Sequence, residues 1–252
     1  MSQAADSAGI SFSGREFLPH PFDGDDGSAP PALAEALSLW EKSRSGEAMA
    51  AIVEALRASR VLVPLLADAG DVGHTAEGKK VEKTQELSIV TVEGPDRLPV
   101  ALMFSDVSAL SIWRTDSRPV PVEATKVAAW VIEDQMARAV LNPGSASECV
   151  IRRGGIVSLL SGEPYTPPVD DPAVERDIAL AFKGQQDVSF VLHSGWDLMG
   201  GNGPDLIVEV ALPPGLSAEQ LRERQAQWAS VWAASPVLNR FVDGIRLKIV
   251  AS

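Results

Sequence analysis

A proline-rich stretch in the second half of the chain limits how the rest can fold. Residues 163–171 contain three prolines and two aspartates. Proline fixes φ and lacks a backbone N–H, so neither a long helix nor a central strand runs through this stretch. A chain of 252 residues also exceeds the usual size of one domain. We therefore predict a linker with few tertiary contacts between an N-terminal domain at 31–165 and a C-terminal domain at 166–252.

Apolar residues follow helical spacing in some segments and form strand-like runs in others. Leu33, Leu37 and Trp40 fall on one helical stripe, whereas the apolar run at 60–66 indicates a strand. Predicted helices and strands are mixed in this way along both domains, and residues 172–250 give the order α-β-β-α-β. We therefore predict an α+β fold: two small α/β-type domains, each with a mixed or antiparallel sheet and helices packed on it.

The first 30 residues are small, polar and rich in glycine and proline, a composition typical of disorder. We therefore predict a disordered tail at 1–30. Phe12, Phe17 and Phe22 recur every five residues, which matches neither a helix face nor a strand face. Two interpretations stay open: the rings dock loosely on the protein's own surface, or they form a short motif that binds a partner.

The charge and the cysteine count bear on partners and location. The net charge is −12, from 34 acidic and 22 basic side chains. Such an acidic protein repels nucleic-acid phosphate and anionic lipid, and no apolar run reaches the length of a membrane span. We therefore predict neither a nucleic-acid partner nor a membrane. The single cysteine, Cys149, excludes an intramolecular disulfide and favours a reducing, cytoplasmic location.

Several segments occur in an order that resembles one known family. The run at 98–110, LPVALMFSDVSAL, closed by Trp113, resembles the core of the SseB N-terminal domain. The strand at 61–64 precedes this run, and the turn at 141–144 and the helix end at 162–164 follow it, in the order that the family shows.

The resemblance extends to residues 188–250, which are similar to the second domain often attached to the SseB domain. It implies two SseB-type domains in a cytoplasmic protein. The family is named for enhanced serine sensitivity, a growth phenotype, and no catalytic residue carries over from it to this chain. The turn at 93–97 departs from the glycine-rich or threonine-rich turn that often precedes the phenylalanine strand, which weakens any claim for a site there.

No combination of residues matches a standard catalytic, cofactor or metal motif. His20, His74 and His193 lack a second histidine at metal-binding spacing, and Cys149 is not in a paired-cysteine motif. Cys149 opens an apolar strand, which favours a buried structural thiol over a nucleophile paired with His193. The glycine cluster at 200–203 precedes a strand, which indicates a hairpin loop rather than a phosphate-binding loop. We therefore predict no catalytic residue, no cofactor and no metal.

Two short segments stand out as a candidate interaction surface. Trp196, Asp197 and Met199 lie in a predicted loop, where apolar side chains either pack beneath the loop or contact a partner. Arg152 and Arg153 follow a strand, and they either bind an anion or form a surface ion pair.

These observations favour a non-enzymatic cytoplasmic interaction or regulatory protein with a protein partner. The alternative is an enzyme or small-ligand-binding protein with a site in the cleft between the two domains. A deep pocket with converging polar groups, between the turn at 142–144 and the loop around Trp196, distinguishes the second hypothesis from the first.

Overall fold

Helices and strands are mixed along the described chain. The structure, a computed structural model, describes residues 22–65, 90–94, 96–195 and 203–252. The helices are α1 (Pro31–Ser43), α2 (Gly46–Arg57), α3 (Val107–Trp113), α4 (Ala124–Glu133), α5 (Arg153–Ser161), α6 (Pro172–Leu180), α7 (Ala218–Ala233) and α8 (Pro236–Phe241). The strands are β1 (Arg60–Leu65), β2 (Thr91–Glu93), β3 (Pro99–Met103), β4 (Arg118–Glu123), β5 (Arg138–Leu141), β6 (Cys149–Ile151), β7 (Ser189–Ser194), β8 (Leu206–Leu212) and β9 (Ile245–Ala251).

The strands form three small sheets. β1 pairs with β4, the second sheet has the order β2-β3-β5-β6, and the third has the order β7-β8-β9. The pairs β3–β5 and β8–β9 are parallel, and the other pairs are antiparallel. A bridge between Leu62 and Phe104 joins the first sheet to the second. The predicted α+β fold, with mixed or antiparallel sheets and helices packed on them, is confirmed.

The helices bury their apolar stripes in separate cores. The N-terminal core packs α1, α2, α4 and α5 with strands of the first two sheets, and Leu33 and Ile52 are fully buried in it. A smaller cluster around Phe104 joins α3 to β1 and β3. The C-terminal core packs α6, α7 and α8 with β8, and it contains the fully buried Trp228. The boundary between the two predicted domains at residue 166 stays a prediction.

Side-chain caps explain where several helices begin. Ser45 and Asp106 accept backbone hydrogen bonds at the starts of α2 and α3, and Ser217 and Gln220 form a capping box at α7. Ser235 caps α8, a short helix between α7 and β9 that the sequence analysis did not predict. The observed order in this half of the chain is therefore α-β-β-α-α-β.

The proline-rich stretch is packed against the fold, and it has more tertiary contacts than its composition predicts. Arg57 of α2 donates hydrogen bonds to the backbone oxygens of Gly162 and Glu163. Tyr165 is partly buried against the N-terminal core, and Pro168 is buried. The stretch therefore lies along the protein rather than extending freely between two domains.

Residues 22–30, at the end of the predicted tail, contact β1. Both carboxylate oxygens of Asp25 accept hydrogen bonds from the guanidinium of Arg60, whose side chain is 8% exposed. The hydrogen bonds from Arg60 hold the pKa of Asp25 below its usual value. Disorder stays a prediction for residues 1–21, which lie outside the described residues together with the first two phenylalanines of the tail.

Candidate functional site

A cleft lies where the N-terminal and C-terminal halves of the chain meet. Its volume is about 690 Å³. One wall comes from the α4–β5 connection and the start of α5, and the other comes from the loop that enters β8 and the first part of β9. We call it the arginine cleft, because its charged lining residues are Arg138, Arg152, Arg153, Arg246, Asp96 and Asp243.

Asp243 bridges the two halves beside the arginine cleft. Its carboxylate lies 3.8 Å from the Arg152 guanidinium and 3.6 Å from that of Arg153. Its Oδ1 atom accepts a hydrogen bond from the backbone N–H of Arg153, whereas the buried Oδ2 atom accepts none within the described part of the chain. Burial raises the pKa of Asp243 to about 6, the negative charge of Asp205 adds to the rise, and the two arginines oppose it. Asp243 therefore links the turn before β9 to α5, and its carboxyl group has a raised pKa.

Asp205, one residue before β8, fixes the turn that leads into β9. Its two carboxylate oxygens accept hydrogen bonds from the backbone N–H groups of Asp243 and Gly244, both at 3.0 Å. The residue is 2% exposed, and burial raises its pKa while these two hydrogen bonds oppose the rise. Asp205 therefore positions the start of β9 and, through it, the Asp243 carboxylate.

Arg152 is 6% exposed, although it lines the arginine cleft. Its Nη2 atom donates a hydrogen bond of 2.7 Å to the backbone oxygen of Gly203, in the loop that enters β8. Burial raises the pKa of the nearby Tyr165 hydroxyl, and the positive charge of Arg152 opposes that rise. Arg152 therefore contacts the second half of the chain at both Gly203 and Asp243, and these contacts link the two walls of the cleft.

Helices α5 and α8 approach each other closely beside the arginine cleft. A Cβ atom on Gly154 would lie 2.9 Å from the backbone oxygen of Phe241 in α8 and 3.2 Å from the Tyr165 ring. The first distance is shorter than real Cβ contacts with backbone atoms. Glycine at this position therefore permits the approach of α5 to α8 that brings the two walls together.

An ion pair fixes the part of the first wall that lies next to the start of β5. The Nη1 atom of Arg138 lies 2.7 Å from Oδ2 of Asp96, and the Arg138 side chain is 9% exposed. The hydrogen bond from Arg138 lowers the pKa of Asp96 below its usual value. Arg138 therefore has an anionic partner within the protein, and it shapes the wall.

Arg153 and Arg246 supply the accessible positive charge. The Arg153 side chain is 52% exposed, and Arg246 is exposed on β9. Four arginines against two aspartates give the cleft an excess of positive charge in a chain whose net charge is −12. Clefts concentrate the field of the charges that line them, and guanidinium groups pair with carboxylates and phosphates. The arginine cleft is therefore suited to an anionic group.

Comparison with known families identifies the first half of the chain. Residues 33–157 match the family model described as the SseB protein N-terminal domain. The chain belongs to the SseB family. No curated protein and no solved structure matches it.

The arginine cleft combines residues inside and outside the matched SseB domain. Arg138, Arg152 and Arg153 lie within the matched range, whereas Asp243 and Arg246 lie beyond it. The similarity of residues 188–250 to a second domain of the SseB family stays a prediction.

The structure places two of the five predicted interaction residues at the cleft. Arg152 and Arg153 line it together, and both lie within ion-pair distance of Asp243. Arg152 is buried, so the predicted surface ion pair describes Arg153 only. Trp196, Asp197 and Met199 lie outside the described residues.

Sequence reasoning missed the other charged residues of the site. Asp205 and Asp243 each lie within two residues of the start of a strand, a pattern that points to turns and not to a binding site. Arg138 and Arg246 occupy ordinary strand positions with no motif around them. Only the folding of β9 beside α5 brings these side chains into one cleft.

Cys149 and His193 occupy different environments. Cys149 is 2% exposed in the N-terminal core, and burial raises the pKa of its thiol well above the usual value. His193 is 48% exposed on β7, where its Nε2 atom lies 3.5 Å from Glu209. The thiol is therefore buried and protonated, as an apolar strand position predicts.

A metal site needs clustered ligands, and a membrane span needs a long apolar helix. In the part of the chain that the structure describes, no group of three or more His, Cys, Asp or Glu side chains is placed to hold a metal ion. In that same part, no helix combines the length and the apolar composition that a membrane crossing needs.

Proposed function

We propose that the protein is a non-enzymatic cytoplasmic interaction or regulatory protein that binds an acidic segment of a partner protein in the arginine cleft. The observation that carries this proposal is the convergence of four arginines on one cleft of an acidic chain. An acidic surface repels acidic partners, whereas guanidinium groups bind carboxylates with defined geometry. The arginine cleft attracts an acidic segment, whereas the rest of the acidic surface repels it.

The polar groups of the cleft support binding rather than catalysis. Arg138, Arg152 and Asp205 are engaged in hydrogen bonds that hold the cleft walls in place. A nucleophile needs an exposed, activated atom next to a base, and Cys149 is buried in the core. The described polar groups of the cleft are therefore suited to binding a charged partner rather than to catalysing a reaction.

The surface outside the cleft narrows the class of partner. A nucleic acid is a long polyanion, and beyond the cleft it would meet a protein surface with excess negative charge. A short acidic segment places its charges only where the arginines are. A partner protein therefore fits better than a nucleic acid, and the single reduced thiol fits a cytoplasmic setting.

The test compares partner capture by the wild type and two matched variants. Arg153→Ala with Arg246→Ala removes the accessible cleft charges, and Arg118→Ala with Arg222→Ala removes two exposed arginines that do not line the cleft. We expect at least one host protein to be retained by the wild type and by the control variant but not by the cleft variant. Titration of that protein, once purified, should then show binding weakened about tenfold or more by the cleft variant alone. Equal retention and equal affinity for all three chains would contradict the proposal.

A small anionic ligand is the second candidate, and it includes an enzymatic role. The observation in its favour is Asp243, whose pKa of about 6 suits an acid or base beside a cleft of about 690 Å³. Thermal unfolding with a panel of small carboxylates and phosphates tests this candidate. A melting temperature that one compound raises in the wild type, but not in the cleft variant, favours it over a protein partner.

A further inference from the structure

Strand β9 lies at one end of its sheet and borders the arginine cleft. It pairs in parallel with β8, from Leu206 opposite Ile245 to Leu212 opposite Ala251. In the order β7-β8-β9 its other edge has no strand partner among the described residues. An edge strand presents backbone N–H and C=O groups to which another extended chain can bind.

The cleft runs along this outer edge of β9. Gly244, Ile245, Arg246 and Leu247 are consecutive, and all four line the arginine cleft. Successive side chains of a strand point to opposite faces of the sheet, so consecutive residues share only the strand's edge. The backbone edge of β9 is therefore part of the cleft wall.

A second hollow borders the same edge from the side of the C-terminal core. Its volume is about 530 Å³, and it shares Asp243, Gly244, Ile245 and Leu247 with the arginine cleft. The rest of its lining comes from α7, α8 and the residue after α8, and it includes the apolar side chains of Ala229, Trp232, Leu238 and Val242. A polar cleft and a more apolar hollow thus meet along one strand edge.

We propose that an acidic segment of a partner protein binds in extended conformation as an additional strand on the outer edge of β9, the edge away from β8. This inference rests on the proposed function and adds to it the binding mode and the sequence pattern of the partner. In such strand addition, backbone hydrogen bonds supply affinity and alternate side chains supply specificity.

The side chains of β9 define the pattern that the partner segment needs. Arg246 and Lys248 are exposed on one face of the strand, and Ile245, Leu247 and Ile249 are packed against the C-terminal core. Directly opposite residues of paired strands attract when their charges are opposite. An added strand therefore carries acidic side chains at alternate positions, opposite the two cations, and apolar side chains between them, over the apolar hollow.

The same charges disfavour a second copy of this chain as the occupant. Antiparallel pairing of β9 with its copy, in registers centred on residues 246–248, places Arg246 and Lys248 opposite each other or opposite themselves. Like charges at opposite positions destabilise strand pairs, and lysine on an edge strand is a common means of preventing self-association. An acidic strand from a different protein instead brings opposite charge to the exposed side of Arg246 and of Lys248, whose Nζ atom also lies 2.8 Å from Oε2 of Glu209 on β8.

The probe for the test is an end-blocked peptide of alternating valine and glutamate, about eight residues long, the length of an ordinary strand. A peptide of the same composition with its glutamates in one block is the control for charge alone. We expect the alternating peptide to bind the full chain at least about tenfold more tightly than the blocked one. Arg246→Glu should weaken its binding about tenfold, and Arg222→Glu, the same charge change on the exposed face of α7, should leave it unchanged within about twofold.

N-methylation of the peptide tests strand addition directly. In a strand only alternate N–H groups face a given neighbour. Methylation of one alternate set of amides should therefore abolish binding, and methylation of the other set should preserve it. If both methylated peptides bind like the parent while Arg246→Glu still weakens binding, strand addition is wrong and the anion-binding cleft stands. If no acidic peptide binds and no captured partner depends on the cleft arginines, the proposed function is wrong as well.

Discussion

Asp243 carries a negative charge that its surroundings disfavour. Its Oδ2 atom is buried without a hydrogen-bond donor in the described chain, and Asp205 lies close enough to repel it. Arg152 and Arg153 compensate only in part, because burial still raises its pKa to about 6. The folded chain therefore takes up a proton at this carboxyl at a higher pH than the unfolded chain does.

Asp243→Asn should remove a pH dependence of stability. The pKa of Asp243 is higher in the folded state than the usual aspartate value of 3.8. The stabilisation that comes from protonating Asp243 is therefore complete below about pH 4 and is lost as the pH rises through 6. The wild type should lose up to about 3 kcal/mol of unfolding free energy relative to Asp243→Asn between pH 4 and 7. Urea unfolding of both chains at several pH values measures this difference. Parallel pH profiles would show that Asp243 titrates normally.

Cys149 is placed to be unreactive in the folded chain. Its thiol is 2% exposed, and burial raises its pKa. Alkylation at pH 7 should therefore be slower by a factor of about 100 or more than that of the urea-unfolded chain. His193→Ala should leave the rate unchanged. A native thiol that reacts as fast as free cysteine, and loses that reactivity in His193→Ala, would restore the enzymatic interpretation.

Asp25 should contribute to the stability of the N-terminal half. Its side chain is 17% exposed and pairs with the buried guanidinium of Arg60. Asp25→Ala leaves that guanidinium without its carboxylate, and we expect a loss of about 2 kcal/mol or more in unfolding free energy. Asp23→Ala, an exposed neighbour, should change it by less than about 0.5 kcal/mol. Equal effects of the two substitutions would mean that residues 22–30 are not held by this pair.

At the scale of elements, the sequence predicts most helices and strands but not the contact that builds the cleft. The helical stripe of Leu33, Leu37 and Trp40 became α1, and the apolar run at 60–66 became β1. The six-residue α8 was missed, because it is too short for periodicity, although Ser235 and Pro236 form a helix-start pattern. The packing of α8 on α5 is a tertiary contact, and the spacing of apolar residues along the chain does not predict it.

Gly154→Ala should separate α5 from α8. In a helix with room for a methyl group, this change stabilises by up to about 1 kcal/mol. Here the new Cβ atom would lie 2.9 Å from the backbone oxygen of Phe241, so we expect a loss of about 1–3 kcal/mol instead. Thermal or urea unfolding shows directly whether the substitution lowers or raises the free energy of unfolding. A gain in stability would mean that the two helices do not approach as described.

At the scale of the whole molecule, charge is distributed in a way that composition cannot show. A net charge of −12 predicts a chain that repels anions, and the sequence offers only short basic pairs against that prediction. Folding gathers Arg138 and Arg246, which lie 108 positions apart, beside Arg152 and Arg153. The arginine pair was recognisable in the sequence, whereas the positive cleft arises only from the meeting of the two halves.

Hydrogen exchange of the full chain, with and without the alternating valine–glutamate peptide, tests the central claim most directly. Strand addition in the arginine cleft predicts that the peptide slows exchange in β9, at residues 245–251, and at the start of α5 near Arg152 and Arg153. The groove between α1 and α2, whose lining residues are not shared with the arginine cleft, should exchange at the same rate in both samples. Protection confined to that groove, or the absence of any protection at peptide concentrations that saturate binding, would contradict the account.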